Sequence, residues 1–238
     1  MDARLDYVHG YSDRERVRLA DQADTLAELL HSDTFYPAGS VVLEVGCGVG
    51  AQTVTLAKRS PEATIVAMDI SEDSLAAAQE RIRSPGFRNV LFQQADVFSM
   101  TFAPDAFDHV FACFVLEHLS QPREALTYLG RVLKPGGTIT VIEGDHGSAY
   151  FHPESPYARQ AIRCLIELQA RAGGDSLIGR RLYPLLLEAV FGHVTVSPRM
   201  VYVDSSRPRL REHSRSCRSA RFPSEPRTHR RVRGRGAA

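Results

Sequence analysis

The sequence has no tryptophan, and nowhere does it stay apolar for the ~20 residues that a membrane-spanning helix needs. No membrane partner is therefore expected. Cysteine is sparse, with four residues at 47, 113, 164 and 217 and no C-x-x-C pair among them. That spacing suggests neither a zinc site nor a disulfide framework. No metal is expected, and the expected compartment is the reducing cytoplasm. The first residues carry charge (Asp2, Arg4, Asp6) where a secretory leader would be apolar, so no signal peptide is expected.

Net charge is nearly absent too, at +1, but the balance conceals a division. Residues 205–238 hold eleven Arg against two Glu, whereas residues 1–204 hold 18 basic against 26 acidic side chains. The large apolar residues of the tail are Leu210, Phe222 and Val232 alone. They cannot offset the entropy of ordering it. The expectation is one domain over 1–204 followed by an Arg-rich disordered segment over 205–238. A basic arm can bind nucleic acid, but no recognition motif accompanies this charge, and nucleic acid is not expected as a partner. The abrupt change of composition after Val203-Asp204 also fits an ending altered by a shift of reading frame.

What the chain does contain is a β-branched run, Val41-Val42-Leu43-Glu44-Val45, that stops at Gly46-Cys47-Gly48-Val49-Gly50 and leads at once into a helical pattern. Alternating glycines let backbone N–H groups and a helix N-terminus approach a ligand that side chains would block. Thr64 to Met68 predicts a second strand closing on Asp69. Ser71, with Glu72 and Asp73 behind it, predicts the cap of a helix over 72–83. Val90–Gln93 predicts a third strand, and Asp108–Phe114, apolar at its centre, a fourth. A helix over 122–133 ends at Lys134-Pro135-Gly136-Gly137, and Thr138–Glu143 predicts a fifth strand.

Upstream, Ser12 and Glu15 form a capping box for a helix over 13–31. Downstream, residues 148–190 interrupt the alternation with a helix after Ser155-Pro156 and a second near 179–190, which Pro184 must delay or kink. This insertion is placed to cover a small-molecule pocket. His193–Val203 predicts a sixth strand, broken at Pro198.

Alternation of this kind demands right-handed crossovers, and so a doubly wound, mostly parallel α/β sheet with helices on both faces. Its ligands sit beyond the carboxyl ends of the strands. Glu44, Asp69, Asp96, Phe114, His118, Glu143 and His146 all fall at that edge. The glycines alone leave the cofactor open, because Gly46-x-Gly48-x-x-Ala51 also fits the dinucleotide fingerprint and Asp69 suits a ribose in either case.

Taken together, these motifs resemble the class I S-adenosylmethionine-dependent methyltransferases. The resemblance rests on Glu44-x-Gly46-x-Gly48-x-Gly50, on Asp69 and on Ala95-Asp96-Val97. It also rests on Phe107-Asp108, on Leu116-Glu117-His118-Leu119 and on Leu133-Lys134-Pro135-Gly136-Gly137-Thr138. It covers about residues 40–145, and the flanking helices look like the small-molecule branch of that family. The resemblance implies S-adenosylmethionine as cofactor and a Rossmann-like methyltransferase fold. Gly46 and Gly48 should approach the methionine part, with Glu44 near its ammonium. Asp69 should hold the ribose hydroxyls, Ile70 should line the adenine, and Asp96 should accept from its amino group beside the Val97 N–H. Phe114 should stand beside the sulfonium, and Tyr7 or Tyr11 should form a flap.

His118 and His146 face the acceptor in this scheme and are the candidate general bases. The expected reaction is methyl transfer to a small molecule, possible acceptors including aromatic or natural-product compounds. The alternatives are a cofactor-binding but inactive protein with an altered end and an NAD-dependent oxidoreductase. In one respect the chain departs from the family. The family's final antiparallel strand, which lies between strands five and six, has no counterpart here.

Overall fold

A computed structural model of the chain describes residues 25–204 apart from Pro85. The expectations for Tyr7, Tyr11, the start of the first helix and the segment beyond Asp204 lie outside these residues. The chain divides between Tyr202 and Val203 into two units, and every element described below belongs to the first.

Helix α1 (residues 25–31) precedes an alternating series. The series runs β1 (Val41–Val45), α2 (Ala51–Arg59), β2 (Thr64–Asp69), α3 (Glu72–Arg83), β3 (Val90–Gln94), β4 (Phe107–Cys113), α4 (Pro122–Val132) and β5 (Leu133–Ile142). Helices α5 (Pro156–Arg171) and α6 (Leu182–Glu188) follow. The five strands form one parallel sheet in the order β3-β2-β1-β4-β5. The order reverses between β1 and β4, which opens a crevice at their carboxyl ends.

Strand periodicity explains why both faces are covered. Val42 joins Ile65 and Phe111 against Leu56 and Ala57 of α2. Its neighbours Leu43 and Val45 turn the other way, toward Met68, Val110, Leu126 and Leu129, with Leu185 and Leu186 of α6 in the same cluster. Full burial of each such Leu or Phe contributes about 1.5–3 kcal/mol before entropy is counted. The cap expected at Ser71 is realised, its hydroxyl accepting from the Ser74 N–H at 3.2 Å, whereas the Ser12–Glu15 capping box lies outside the described residues. Ser155, expected only as a helix start, also accepts from the Ala158 N–H at 3.2 Å.

Two boundaries differ from expectation. The Lys134–Gly137 break does not separate α4 from β5, because the strand begins at Leu133, paired with Phe107 of β4. The ladder shifts register there and resumes at His109 and Thr138. Glycine makes this bulge possible. Gly136 takes φ +81°, and a Cβ on Gly137 would stand 2.8 Å from the Asp108 carbonyl oxygen. Asp108 fastens the same corner. Its carboxylate accepts from Lys134 Nζ at 2.8 Å and from the Val41 N–H at 2.9 Å, joining the starts of three strands. The helix around Pro184 starts late, after a 3-10 turn at Ile178–Arg181. Pro184 therefore falls in the first turn of α6, where a missing N–H costs no intrahelical bond.

The expected sixth strand is not formed. Residues 193–203 have β-branched composition but make no ladder, and Val196, Met200, Val201 and Tyr202 are exposed. A strand needs a neighbour. In the family's sheet that neighbour is the inserted antiparallel strand, and none stands beside β5 among the described residues. Pro198 also has no N–H to donate. The segment is held instead by Arg199. Its guanidinium donates to the carbonyls of Leu29 (2.9 Å) and Leu30 at the end of α1, and to both Asp33 oxygens at 2.6 Å.

Replacing Arg199 by Ala should leave these carbonyls without their partner and cost about 1–3 kcal/mol. Urea unfolding should show a lower midpoint, and amide exchange should rise in 193–203 while β1 and β2 keep their protection. Unchanged exchange in 193–203 would show that the arginine does not hold this segment.

Candidate cofactor and acceptor site

The crevice begins where β1 ends. Gly46, Gly48 and Gly50 all take positive φ, at +64°, +53° and +76°. Such a run is open to glycine and strained for other residues. The turn is fixed from beneath, because Cys47 N–H donates to the Met68 carbonyl at 2.9 Å and Gly48 N–H to Asp69 Oδ2 at 2.8 Å. Each glycine meets different surroundings. A Cβ on Gly46 would lie 2.8 Å from Val115 Cγ2, and one on Gly50 would lie 3.0 Å from the backbone of α3 at Ala78. Around Gly48 there is open space. Gly50 caps α2 without a side chain, so the cap residue itself contributes no side-chain hydrogen bond to the first N–H groups of that helix.

Glu44 lies under this turn and is only 2% exposed. Its Oε2 is buried without a hydrogen-bond partner. Burial pushes its pKa up to about 8, with the Thr53 hydroxyl opposing the shift and the Asp69 charge adding to it. Asp69 closes β2 as expected. One oxygen accepts from Gly48 N–H and the other from Ser71 N–H at 2.9 Å. Burial raises its pKa against these backbone bonds. Ile70, next along, is an exposed large apolar side chain at 51%. Asp96 folds the chain after β3, with Oδ1 accepting from Phe98 N–H at 2.9 Å, while Val97 turns its side chain into the core.

The facing wall is built by the exits of β4 and β5. Phe114 leaves β4 at φ +56°, with its N–H held by the Ile142 carbonyl at 2.8 Å. A single 3-10 turn, Leu116–His118, follows. His118 Nε2 stands 3.5 Å from Glu117 Oε1. After β5, the backbone N–H of His146 donates to the Ser176 carbonyl at 3.0 Å, and its ring Nδ1 lies 3.2 Å from the same oxygen. A carbonyl can only accept, so that ring nitrogen carries the proton and a neutral ring presents Nε2 as an acceptor.

Several partners here were invisible in the sequence. Asp145 is clamped by Arg180 in a two-bond pair at 2.8 and 2.9 Å and also accepts from Ser148 and Gly147. Burial works to raise its pKa, but Arg180 and these donors outweigh it and hold the carboxyl low. Gln169, 1% exposed, donates to the Glu117 carbonyl at 3.0 Å. Glu143 accepts from two backbone N–H groups of the β4 exit. The Glu-x-Asp-His string after β5 was a signal for these contacts, but their partners lie tens of residues away. Tyr11, the expected flap residue, is outside the described residues.

The stretch that carries this site is similar to known proteins. The model of a methyltransferase domain matches residues 42–137, the stretch from β1 to the β5 bulge. A demethylmenaquinone methyltransferase of Clavibacter sepedonicus is 34% identical over 179 residues, which is 75% of this chain and 67% of that protein. Methyltransferase GfsG of Streptomyces halstedii is 32% identical over 126 residues, 52% of this chain and 45% of its own length. Haemonchus contortus phospholethanolamine N-methyltransferase 2, solved with phosphomonomethylethanolamine and S-adenosylhomocysteine, is alike in fold. Its TM-score is 0.61 at 17% identity, over 84% of this chain and 45% of that one. The chain belongs to the class I S-adenosylmethionine-dependent methyltransferases. It spans about half the length of several of the curated relatives it matches. Among the described residues no helix is long and apolar enough to cross a membrane.

The geometry fits that cofactor. A buried oxygen without a donor, on Glu44, suits an ammonium. The open space at Gly48 suits close backbone approach, and the exposed Ile70 suits an aromatic base. Glu44 keeps its proton to about pH 8 in the free protein, and an ammonium beside it would expel that proton. Binding of S-adenosylhomocysteine near neutral pH should therefore release close to one proton. Calorimetry in buffers of different ionisation enthalpy would measure the release, and Glu44→Gln should abolish it. The sign for the free protein follows from the raised value. Between the ordinary carboxylate range and about pH 8 the folded chain holds a proton that the unfolded chain has lost, so stability falls as pH rises through that window. Glu143 acts in the same direction, and stability rising between about pH 7 and 8, above the ordinary histidine range, would contradict the burial of both carboxyls.

Proposed function

We propose that this protein transfers a methyl group from S-adenosylmethionine to a small-molecule acceptor. One observation carries the reading. The glycine cradle with the unpartnered Glu44 oxygen and the loop bearing His146 both open at the carboxyl edge of one parallel sheet. In family terms Glu44 takes the ammonium, Gly46 and Gly48 the methionine backbone, and Asp69 the ribose. Ile70, Asp96 and Val97 serve the adenine, and Phe114 stands beside the sulfonium.

The cofactor, when bound, supplies an already activated methyl. The protein's share is then alignment and exclusion of water. In this reading residues 148–190 cover the acceptor. His146 takes the proton that an oxygen or nitrogen acceptor must shed, because the Ser176 carbonyl holds the ring in the tautomer with Nε2 free to accept. His118 is the second candidate, next to Glu117. The likeness to a demethylmenaquinone methyltransferase supports an acceptor of the aromatic or natural-product kind. The free thiols of Cys47, Cys113 and Cys164 agree with a cytoplasmic setting.

The test is formation of S-adenosylhomocysteine from S-adenosylmethionine across a panel of phenolic, quinol, carboxylate and amine acceptors. His146→Ala should lower turnover about 10²–10⁴-fold, the range of a lost general base, with S-adenosylhomocysteine affinity unchanged. Equal loss of affinity and turnover would remove His146 from that role. Tight cofactor binding without turnover on any acceptor would favour an inactive binding protein, and binding of NAD in its place an oxidoreductase.

A further inference from the structure

The 3-10 turn Leu116–His118 has to be capped, and its own sequence offers nothing for the purpose. Its N-cap residue is Val115, which has no polar side chain. The cap comes instead from β5's far end. Glu143 Oε1 accepts from the N–H of Val115 at 2.9 Å and from that of Leu116 at 2.7 Å. Two donors that a helix start would leave orphaned are thus met by one oxygen from 28 residues away.

What this turn touches gives the cap its importance. On one side Val115 lies against the Cα of Gly46, where no Cβ could fit beside it unless the valine moved. On the other side the Glu117 carbonyl accepts from Asp175 N–H at 2.8 Å and from Gln169 Nε2. The chain passes so close there that a Cβ on Gly174 would collide with that carbonyl. Phe114, at the hinge, is held at φ +56°, a conformation that surrounding bonds must impose on a phenylalanine. The turn is therefore a single piece between the glycine loop and the cover.

We propose that Glu143 is a positioning residue for methyl transfer, which caps the Val115–His118 turn in trans and so sets Phe114 and Val115 against the glycine loop. The inference rests on the methyl-transfer reading for its catalytic meaning and on the hydrogen bonds alone for the cap. Glu143 touches neither cofactor nor acceptor in this role; it acts through the turn.

Protonation tunes the cap. Burial and the nearby Glu117 raise the Glu143 pKa to about 8, against the backbone N–H groups of Leu116, Val115 and Glu117. The other titratable groups facing it are Cys113, whose thiol burial raises far above its ordinary range, and His118 through Glu117. The ionised carboxylate makes the stronger, charge-assisted bonds. The turn should therefore tighten as pH rises through about 8.

The test compares wild type, Glu143→Gln and Glu143→Leu by amide hydrogen exchange corrected for intrinsic pH dependence, together with S-adenosylhomocysteine affinity. Gln keeps an acceptor oxygen, whereas Leu has none. In Leu the Val115 and Leu116 amides should lose about tenfold or more in protection, the equivalent of one or two hydrogen bonds, and Gln should keep most of it. Affinity should follow the same order. Wild-type protection should increase across pH 7 to 9, and that of Gln should stay flat. Equal protection in all three proteins overturns the cap, and so does equal loss in Gln and Leu. If Leu unfolds the whole sheet, the pH arm on wild type and Gln decides alone, and a flat wild-type profile overturns the proposal. With an acceptor in hand, Leu should lower kcat more than it raises the acceptor KM; the reverse would leave the cap standing and end its catalytic meaning. Failure of every protein to bind S-adenosylhomocysteine would count against the methyltransferase reading, and the exchange data would still judge the cap.

Discussion

Everything at this site depends on how closely two neighbouring strands can bring their exits together. β1 and β4 run parallel at the point where strand order reverses, and their chains leave the sheet side by side. Gly46 has no Cβ, so Val115 can occupy the space beside it. A larger residue at 46 would force the β4 exit outward and take Phe114, His118 and the contacts of the cover with it. The absence of one methyl group thus decides how closely the glycine loop and the β4 exit approach.

The second constraint is electrostatic. Glu44 and Glu143 sit at the ends of β1 and β5, both buried, and burial drives both carboxyls to about pH 8. A desolvated carboxylate is costly unless a donor or a cation meets it. Each of the two keeps one oxygen, Oε2, with no hydrogen-bond partner, but the other oxygen of Glu143 accepts from two backbone N–H groups of the β4 exit. Two groups of the same kind, both shifted by desolvation, therefore differ in what meets them. Glu143 joins two strand exits, and Glu44, on the reading proposed above, would meet a ligand that brings positive charge.

Local signals explain what could be read from the sequence. The glycine loop, Asp69 and Asp96 each close a strand within a few residues of their own pattern, so the parallel sheet and the candidate site at its carboxyl edge were legible. Other features depend on partners distant in the chain. Arg180 meets Asp145 across 35 residues and Gln169 meets Glu117 across 52, and neither pairing leaves a periodic mark. The segment 193–203 is the instructive failure. Its composition is that of a strand, but strand formation is a property of a pair, and the inserted neighbour the family would supply is missing among the described residues. The β5 bulge misled for the opposite reason. Lys-Pro-Gly-Gly is a chain-breaking string in isolation, yet the glycines let it stay within the sheet.

The insertion after β5 is attached unevenly, which on the proposed reading bears on how an acceptor would be chosen. The stretch from Gln169 to Arg181 is bound to both strand exits, through Glu117 on the β4 side and through Gly144, Asp145 and His146 on the β5 side. By contrast α5 buries Gln169 alone, at its carboxyl end; Ala158, Ile162 and Leu165 of its apolar stripe are half-buried, and Ala161 and Leu168 are exposed. A 16-residue amphipathic helix packed in this way leaves part of its apolar face open. On the methyl-transfer reading, the anchored stretch sets where the acceptor's reacting atom meets His146. The open part of the stripe would then be the surface on which acceptors of different apolar shape are told apart. Reaction geometry and selectivity would reside in adjoining parts of one insertion, the first rigid because its backbone is bonded to the sheet edge, the second adaptable because its contacts are side chains alone.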